Sequence, residues 1–416
     1  MESIVKWASN DYSRIPNALY HEPEVYQAEM QKVFQGHAWL FMGFEAEIPK
    51  VNDFRTTLLG EVPVVFNRAP DGGVHAFVNR CAHRGAIIRR ELCGNDATHT
   101  CVYHQWCYDQ KGKLIGVPFQ RGLGGEGGVS KEFRREDHPA QKVRVESFHG
   151  LLFGTFSEQV EPLEEYLGDT LAQHIARMID GRKIRIVGYQ RQTVRGNWKL
   201  YAENSRDQYH GSLLHKFQGT FLTKTTTQGG LWMDERHRHS IVYSIPAKTF
   251  DGPLEVADVV HNVEKFEDTA IFKFVPEFPE DYPYGSAICS LFPNVVIQQI
   301  RNSLATRQIR PQGPGQFELF FTLFGFEGDS AEVVRQRLLQ VNMGGPAGFI
   351  SSEDGEAIEI VHKATASQQS SVSLVEMGGT GPIPNQIKTR INDLAVRGFW
   401  SFYSELMQIE PENAIR

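Results

Sequence analysis

The chain has 416 residues, which suggests two or three domain-sized units, and its 41% hydrophobic and 22% charged content is that of an ordinary soluble globular protein with material for real cores. The net charge of −7 argues against nucleic acid as a partner and suits a cytoplasmic enzyme. No apolar run approaches bilayer length, and the amino terminus lacks the basic-then-apolar pattern of a secretory signal. The five cysteines are an odd number and four of them fall within 81–107, a clustering that favours metal over disulfide in a leaderless chain.

Residues 1–38 read as an amphipathic helical arm (Tyr26, Met30, Val33, Phe34) that packs on something else. From about Trp39 the period changes to that of strands. Phe54–Leu59 and Val62–Phe66 are followed by the turn Pro70-Asp71-Gly72-Gly73 and a returning strand, Val74–Asn79, in a small β domain reaching Phe156. Gly122–Gly128 reads as a flexible surface loop, since no strand–loop–helix context makes it a phosphate loop. Residues 161–180 are helical by pattern, and Ile184–Gln192 is a strand. Further strands are expected at Ser240–Ser244, Ala270–Val275, Ala287–Gln299, Thr306–Ile309 and Phe317–Phe324. Ser330–Asn342 and a segment starting at Ser352, with Ser352 as its cap and acidic residues in its first turn, read as helices. Residues 391–407 form a closing amphipathic helix.

Within 197–215, good helix formers lead into a crowd of Asp207, Tyr209, His210 and His215. Asp207 and His210 are three apart and share a helical face, but His210 and His215 are five apart. Both histidines reach one ion only if the helix bends or ends near Gly211. A structural pair of histidines is the bland alternative. Two imidazoles with a carboxylate beside the first otherwise read as part of a metal site.

The β domain also carries Cys81-Ala82-His83-Arg84 and Cys101-Val102-Tyr103-His104-Gln105-Trp106. Two thiolates and two imidazoles on two loops suit either structural zinc or a Rieske [2Fe–2S] cluster, in which cysteines hold one iron and histidines the other. Alternation favours the cluster, because each loop brings one Cys and one His and can touch both irons. Cys93 and Cys107 match no ligand position and read as ordinary buried or partly buried thiols.

These two motifs, with Gly85, resemble the Rieske motif of the Rieske non-haem iron ring-hydroxylating oxygenases. Asn197-Trp198-Lys199 with Glu203-Asn204, Asp207, Tyr209-His210 and His215 resembles the iron-binding helix of the same family, and the motif order fits along nearly the whole chain. The resemblance implies an α+β fold: a helical arm (1–38) on the catalytic domain, a Rieske domain (39–156), and a catalytic helix-grip-like domain (157–416) with an antiparallel sheet around a long helix. It implies Cys81, His83, Cys101 and His104 as cluster ligands. It implies His210 and His215 as ligands of a mononuclear Fe(II), with the carboxylate from Gly345-Pro346-Ala347-Gly348-Phe349…Ser352-Glu353-Asp354 at the position of Asp354. Glu353 is the neighbouring candidate, but on a helix it points about 100° away. By the same resemblance Asp207 is an electron bridge to the counterpart of His104 on a neighbouring subunit, in a homotrimeric core (α3 or α3β3) that a small β subunit often accompanies.

The implied activity is hydroxylation of an aromatic ring with O2, using electrons from NAD(P)H through a reductase or ferredoxin. The chain shows no dinucleotide fingerprint and no plant-type ferredoxin cysteines, so it reads as the terminal oxygenase. A ring monohydroxylase, a demethylase, a Rieske electron carrier and a zinc hydrolase are the competing readings. Alternation along 304–310 puts Arg307 on a face with Ala305 and Ile309, where a cation is costly unless paired. Arg307 could hold a substrate carboxylate through its fork, or pair with an Asp or Glu of the chain. Arg397 and Arg390 are weaker candidates, read first as a solvated helix face. Within the family the pattern is most similar to the oxygenases of aromatic carboxylates, terephthalate, salicylate and anthranilate, with Arg84–Ile88 and Asn302–Gln308 nearest the terephthalate type.

Overall fold

The computed structural model describes residues 5, 7, 9–215, 229–244, 270–278, 285–389 and 391–409. By packing, the chain divides into two compact units, Phe34–Tyr166, and Leu167 onward together with the segment up to Val33.

In the first unit seven antiparallel strands form a sheet in the order Leu40–Phe44, Leu151–Thr155, Lys142–Phe148, Val74–Val78, Val62–Arg68, Asp53–Leu59 and Cys93–Asn95. Gly72, at φ 80°, closes the hairpin between the fourth and fifth of these, a backbone region that glycine enters without steric cost. A second sheet joins His99–Thr100, Cys107–Tyr108 and Leu114–Gly116. Phe54, Val65, Phe77, Ile88, Tyr108 and Leu114 pack in one core that also contains Cys81 and Cys101. The loops bearing these cysteines are therefore anchored from inside. Gly122–Gly128 is a turn closed on itself by a Leu123–Glu126 bridge, and the next element is only the 3-10 turn Arg135–Asp137.

In the second unit eight antiparallel strands run in the order Ile184–Val194, Phe317–Phe326, Ser303–Pro311, Val295–Ile300, Ser286–Leu291, Ser240–Ser244, Gly230–Met233 and Gln386–Ile387. Every residue of Ser303–Pro311 is buried, as in a strand covered on both faces. The helix Trp198–Asn204 is N-capped by Asn197, whose side chain accepts from Lys199 N at 3.1 Å. Trp198 meets Phe292 and Phe399, which ties this helix to the sheet and to the closing helix Leu394–Met407.

Several expected elements differ, for local reasons. The arm is not one helix. Arg14–Pro16 is a strand paired with Val372–Leu374, followed by a 3-10 turn, and the α-helix runs only Pro23–Glu29, with Pro23 in its first turn. Gly168, at φ 70°, divides 161–180 into two helices. Ala270–Val275 holds only a 3-10 turn, at Ala270–Phe272. Ala287–Gln299 is two strands, interrupted around Pro293, which has no N–H for a ladder. The helix expected to start at Ser352 begins at Phe349, with Gly348 as N-cap. Ser352 lies inside it, its hydroxyl turned back to the carbonyls of Gly348 and Phe349, so it caps nothing.

Candidate metal centres

The two Cys–His loops close in the same way. Cys81 N donates to Ala86 O and Gly85 N to Cys81 O; Cys101 N donates to Trp106 O and Gln105 N to Cys101 O. Gly85 and Gln105, at φ 73° and 58°, make the same left-handed turn. Cys81 and Cys101 are only 2% and 1% exposed, whereas His83 is exposed and His104 half-buried. The imidazoles lie 4.4 Å apart at 68°, and Trp106 stacks on His83 at 4.9 Å. Thiols inside and imidazoles outside is the donor set of a cluster whose inner iron takes sulfur and outer iron nitrogen. The residues fit that group. Tyr108 adds a contact that the sequence did not reveal: its hydroxyl donates to Cys81 Sγ at 3.3 Å and accepts from Ala82 N. The other thiols stand apart. Cys93 is exposed rather than buried, and Cys107 is half-buried.

In the second unit the helix ends at Asn204. Asp207 Oδ1 accepts from Tyr209 N at 2.6 Å, a side-chain turn that takes the chain out of the helix. His210 then falls in the 3-10 turn His210–Ser212, and the five-residue gap to His215 is bridged by this change of direction rather than by a continuous 197–215 helix. Asp354 arrives from the helix Phe349–Ala366. Its Oδ1 lies 3.3 Å from His210 Nε2 and 3.5 Å from His215 Nε2, and one donor atom from each of the three lies within 4.8 Å of the others. Asp207 Oδ2 holds His210 Nδ1 at 2.8 Å, and Glu353 Oε2 holds His215 Nδ1 at 3.0 Å. Both rings thus have Nδ1 tied to a carboxylate and Nε2 turned to Asp354, the arrangement that orients imidazoles for a metal. Two nitrogens and one carboxylate with open sides fit a non-haem iron.

Electrostatics agree with a site built for a cation. Burial pulls the His210 pKa down, but Asp207 and Asp354 outweigh it and hold the imidazole up at about 9. Burial raises the Asp354 carboxyl, yet His210, His215 and Asn204 bring it below the usual carboxylate range. Asn204 Nδ2 donates to Asp354 Oδ1 at 3.0 Å, a role that nothing in the sequence signalled.

Arg307 is buried, with Nε donating to Gln298 Oε1 at 2.5 Å and Nη1 to Tyr201 Oη at 3.1 Å, and with Phe321 under its guanidinium. Its hydrogen-bond partners among the described residues are neutral. Burial raises the Tyr201 pKa, Arg307 lowers it and Asp354 raises it, so Tyr201 feels both the guanidinium and the carboxylate of the triad. Arg310 is instead paired with Glu318 at 3.2 Å. Arg397 is not on a solvated face. It is 1% exposed and its fork donates to the carbonyls of Asp11, Gly379, Thr380 and Gly381, a clamp on two loops. Arg390 lies outside the described residues.

Residues 38–132 match the Rieske [2Fe-2S] domain, and residues 169–409 the catalytic domain of the ring hydroxylating alpha subunit. The large subunit of anthranilate 1,2-dioxygenase from Burkholderia cepacia is 41% identical over 97% of this chain and 96% of its own. The terminal oxygenase alpha subunit 2 of terephthalate 1,2-dioxygenase from Comamonas sp is 38% identical over 99% of each chain. The large oxygenase component of salicylate 5-hydroxylase from Ralstonia sp is 38% identical over 97% and 96%. Identity does not favour the terephthalate type over the anthranilate one. In fold, the chain superposes on naphthalene 1,2-dioxygenase with indole bound at a TM-score of 0.79, covering 99% of this chain and 96% of that one at 24% identity.

Fold, donor sets and matches define an iron oxygenase that carries its own Rieske domain. The chain belongs to the alpha subunits of the ring-hydroxylating oxygenases. Its cofactors are a Rieske [2Fe–2S] cluster and a mononuclear iron, and O2 is its co-substrate. That settles the class against zinc hydrolase and electron carrier. Its relatives are subunits or components of multi-component oxygenases. Among the described residues no helix is long and apolar enough to cross a membrane.

Proposed function

We propose that this protein is the terminal oxygenase that dihydroxylates an aromatic carboxylate. Cys81, His83, Cys101 and His104 hold the cluster, and His210, His215 and Asp354 hold the iron. Together the two groups supply reductive O2 activation with electrons delivered one at a time.

The chain's own part is to position and to exclude. Asp207 and Glu353 fix the tautomers of His210 and His215, so that both Nε2 atoms point the same way. Arg307 receives the substrate carboxylate. Gln298 and Tyr201 occupy Nε and one Nη1 hydrogen, leaving the rest of the fork free to bind the carboxylate and set the ring's orientation. The observation that carries this reading is a buried guanidinium whose hydrogen bonds go to neutral oxygens, those of Gln298 and Tyr201. A buried cation of this kind gains most from an anionic ligand. The relatives named for anthranilate, terephthalate and salicylate support the same substrate class.

Electrons come from NAD(P)H through a reductase, a ferredoxin or both, and that supply places the enzyme in the cytoplasm. The oligomer is a ring of three such subunits, alone or with a small β subunit, in which Asp207 links the iron site to the neighbouring subunit's cluster.

The test is a single turnover of the pre-reduced protein under isotopically labelled O2, with mass spectrometry across ring carboxylates and neutral arenes. Products confined to carboxylates, carrying both oxygens, are expected. Equal hydroxylation of neutral arenes overturns the role of Arg307. One labelled oxygen instead of two supports monohydroxylation, the reading favoured by the salicylate 5-hydroxylase relative.

A further inference from the structure

A series of oxidisable side chains is joined through Glu203 to the cavity that His210 lines, and leads away from it. Asp207, which holds His210 Nδ1, donates its backbone N–H to Glu203 O at 2.9 Å. The Glu203 carboxylate, through Oε1, accepts from Tyr20 Oη at 2.5 Å and from Trp400 Nε1 at 3.1 Å. Glu203 also lines one cavity with Asn204, Asp207 and His210. The Trp400 ring lies 5.8 Å from Tyr20 and 5.6 Å from Trp7, and Trp7 lies 5.4 Å from Tyr12. Tyr20, Trp400 and Trp7 are buried, and Tyr12 is partly exposed.

Packing alone would be served as well by phenylalanine. Two features separate this series from ordinary core. The first ring has a carboxylate at hydrogen-bond distance from its hydroxyl. The Trp7 indole N–H has no hydrogen-bond partner among the described residues, a cost that Phe at that position would not carry. Trp and Tyr give up one electron far more readily than Phe does, and rings in near contact exchange electrons quickly because tunnelling falls off steeply with distance.

We infer that Tyr20, Trp400, Trp7 and Tyr12 form an escape route for oxidising equivalents produced at the iron centre when O2 is activated without substrate. The inference rests on the reading of His210, His215 and Asp354 as the iron ligands. The oxidant takes one electron from Tyr20, and the phenolic proton passes to Oε1 of ionised Glu203, so a neutral phenoxyl forms beside a neutral carboxylic acid and no positive charge is left on the ring. Trp400 returns an electron to Tyr20 while Glu203 returns the proton. Trp7 refills Trp400, and Tyr12 refills Trp7, releasing its proton to water. A small thiol in solvent then restores Tyr12 with one electron and one proton. In sum, the thiol becomes a thiyl radical, one proton passes to water, and the iron-centre oxidant is reduced by one electron.

The experiment cycles the reduced holoenzyme with O2 in the absence of substrate, with iron assay, freeze-quench EPR and peptide mapping by mass spectrometry. Wild type is expected to show a Tyr or Trp radical and oxidation at Trp400, Trp7 and Tyr12. Trp7→Phe is expected to lose activity in fewer uncoupled cycles, with oxidation shifted back to Trp400 and Tyr20, and Trp7→Tyr to restore survival. Phe and Tyr leave similar packing defects, so rescue by Tyr alone marks redox chemistry. The route is overturned if both variants survive like wild type, if both fail equally, or if oxidation in the iron-loaded wild type is confined to Tyr209, His210 and His215. Iron retained by His210→Ala would instead overturn the site reading itself.

Discussion

Glu353 Oε2 lies 3.0 Å from His215 Nδ1, while the next residue, Asp354, brings Oδ1 to within 3.5 Å of Nε2 of the same ring. Adjacent helix positions diverge by about 100°, and here that divergence lets two carboxylates take opposite nitrogens of one imidazole. On the ligand set proposed above, Glu353 orients His215 rather than serving as a ligand itself. Glu353→Gln keeps an acceptor but loses the charge, and iron affinity should fall about 10–100-fold with the cluster unaffected. Titration against a competing chelator, with the cluster followed by EPR, measures this. A variant that binds no iron even at excess, as expected for Asp354→Asn, would make Glu353 a ligand.

Asp207 fixes the other histidine, at 2.8 Å from His210 Nδ1. With both Nε2 atoms and Asp354 still in place, Asp207→Ala should retain both metals at saturating iron yet stop turnover. The check is three irons per chain, two in the cluster and one mononuclear, alongside absent product. Iron analysis returning only the two cluster irons at saturation would count Asp207 among the ligands.

What could be read from the sequence was what is local in it. Cys81, His83, Cys101 and His104 sit on two short loops, so their spacing carries the donor set, and the structure brings them onto adjacent loops with matching backbone. His210 and His215 were visible as a pair, but the helix end between them was not. That end is made by the Asp207 side chain turning onto Tyr209 N, which competes with helical bonding at a residue whose propensity is only moderately poor. The contacts of Glu353 with His215 and of Asn204 with Asp354 join segments 138 and 150 residues apart, and no local pattern encodes them. Arg397 misled for a similar reason. On an amphipathic helix it looks solvated, yet carbonyls from a loop 386 residues away and from another 18 residues away come to meet it.

Arg307 gives a prediction about specificity. Arg307→Met fills similar space without a charge, and it leaves Gln298 and Tyr201 able to bond to each other or to water. For a ring-carboxylate substrate, kcat/KM should fall by a factor corresponding to about 2–5 kcal/mol, the usual loss when one member of a buried charge pair is removed. Hydroxylation of a neutral arene of the same size should be unchanged or improved. Equal losses on both substrates would mean that Arg307 holds the sheet and not the carboxylate.

Glu203 gives a prediction about pH. Burial raises its carboxyl to about 7, despite hydrogen bonds from Tyr20 and Trp400 and the nearby Lys199. The ordinary value is 4.5, so the folded state holds the proton more tightly than the unfolded chain. Stability from this group is full below about pH 4.5 and is lost as pH rises through about 7, where the buried carboxylate must ionise. The gap corresponds to on the order of 3 kcal/mol at most. Glu203→Gln keeps an acceptor for Tyr20 and Trp400 and cannot ionise. Its stability relative to wild type should therefore increase between about pH 5 and pH 8 and level off above that. Chemical denaturation of both proteins at a series of pH values measures the difference directly. A difference that stays constant across that window would mean that Glu203 keeps an ordinary pKa and that its burial is relieved in solution.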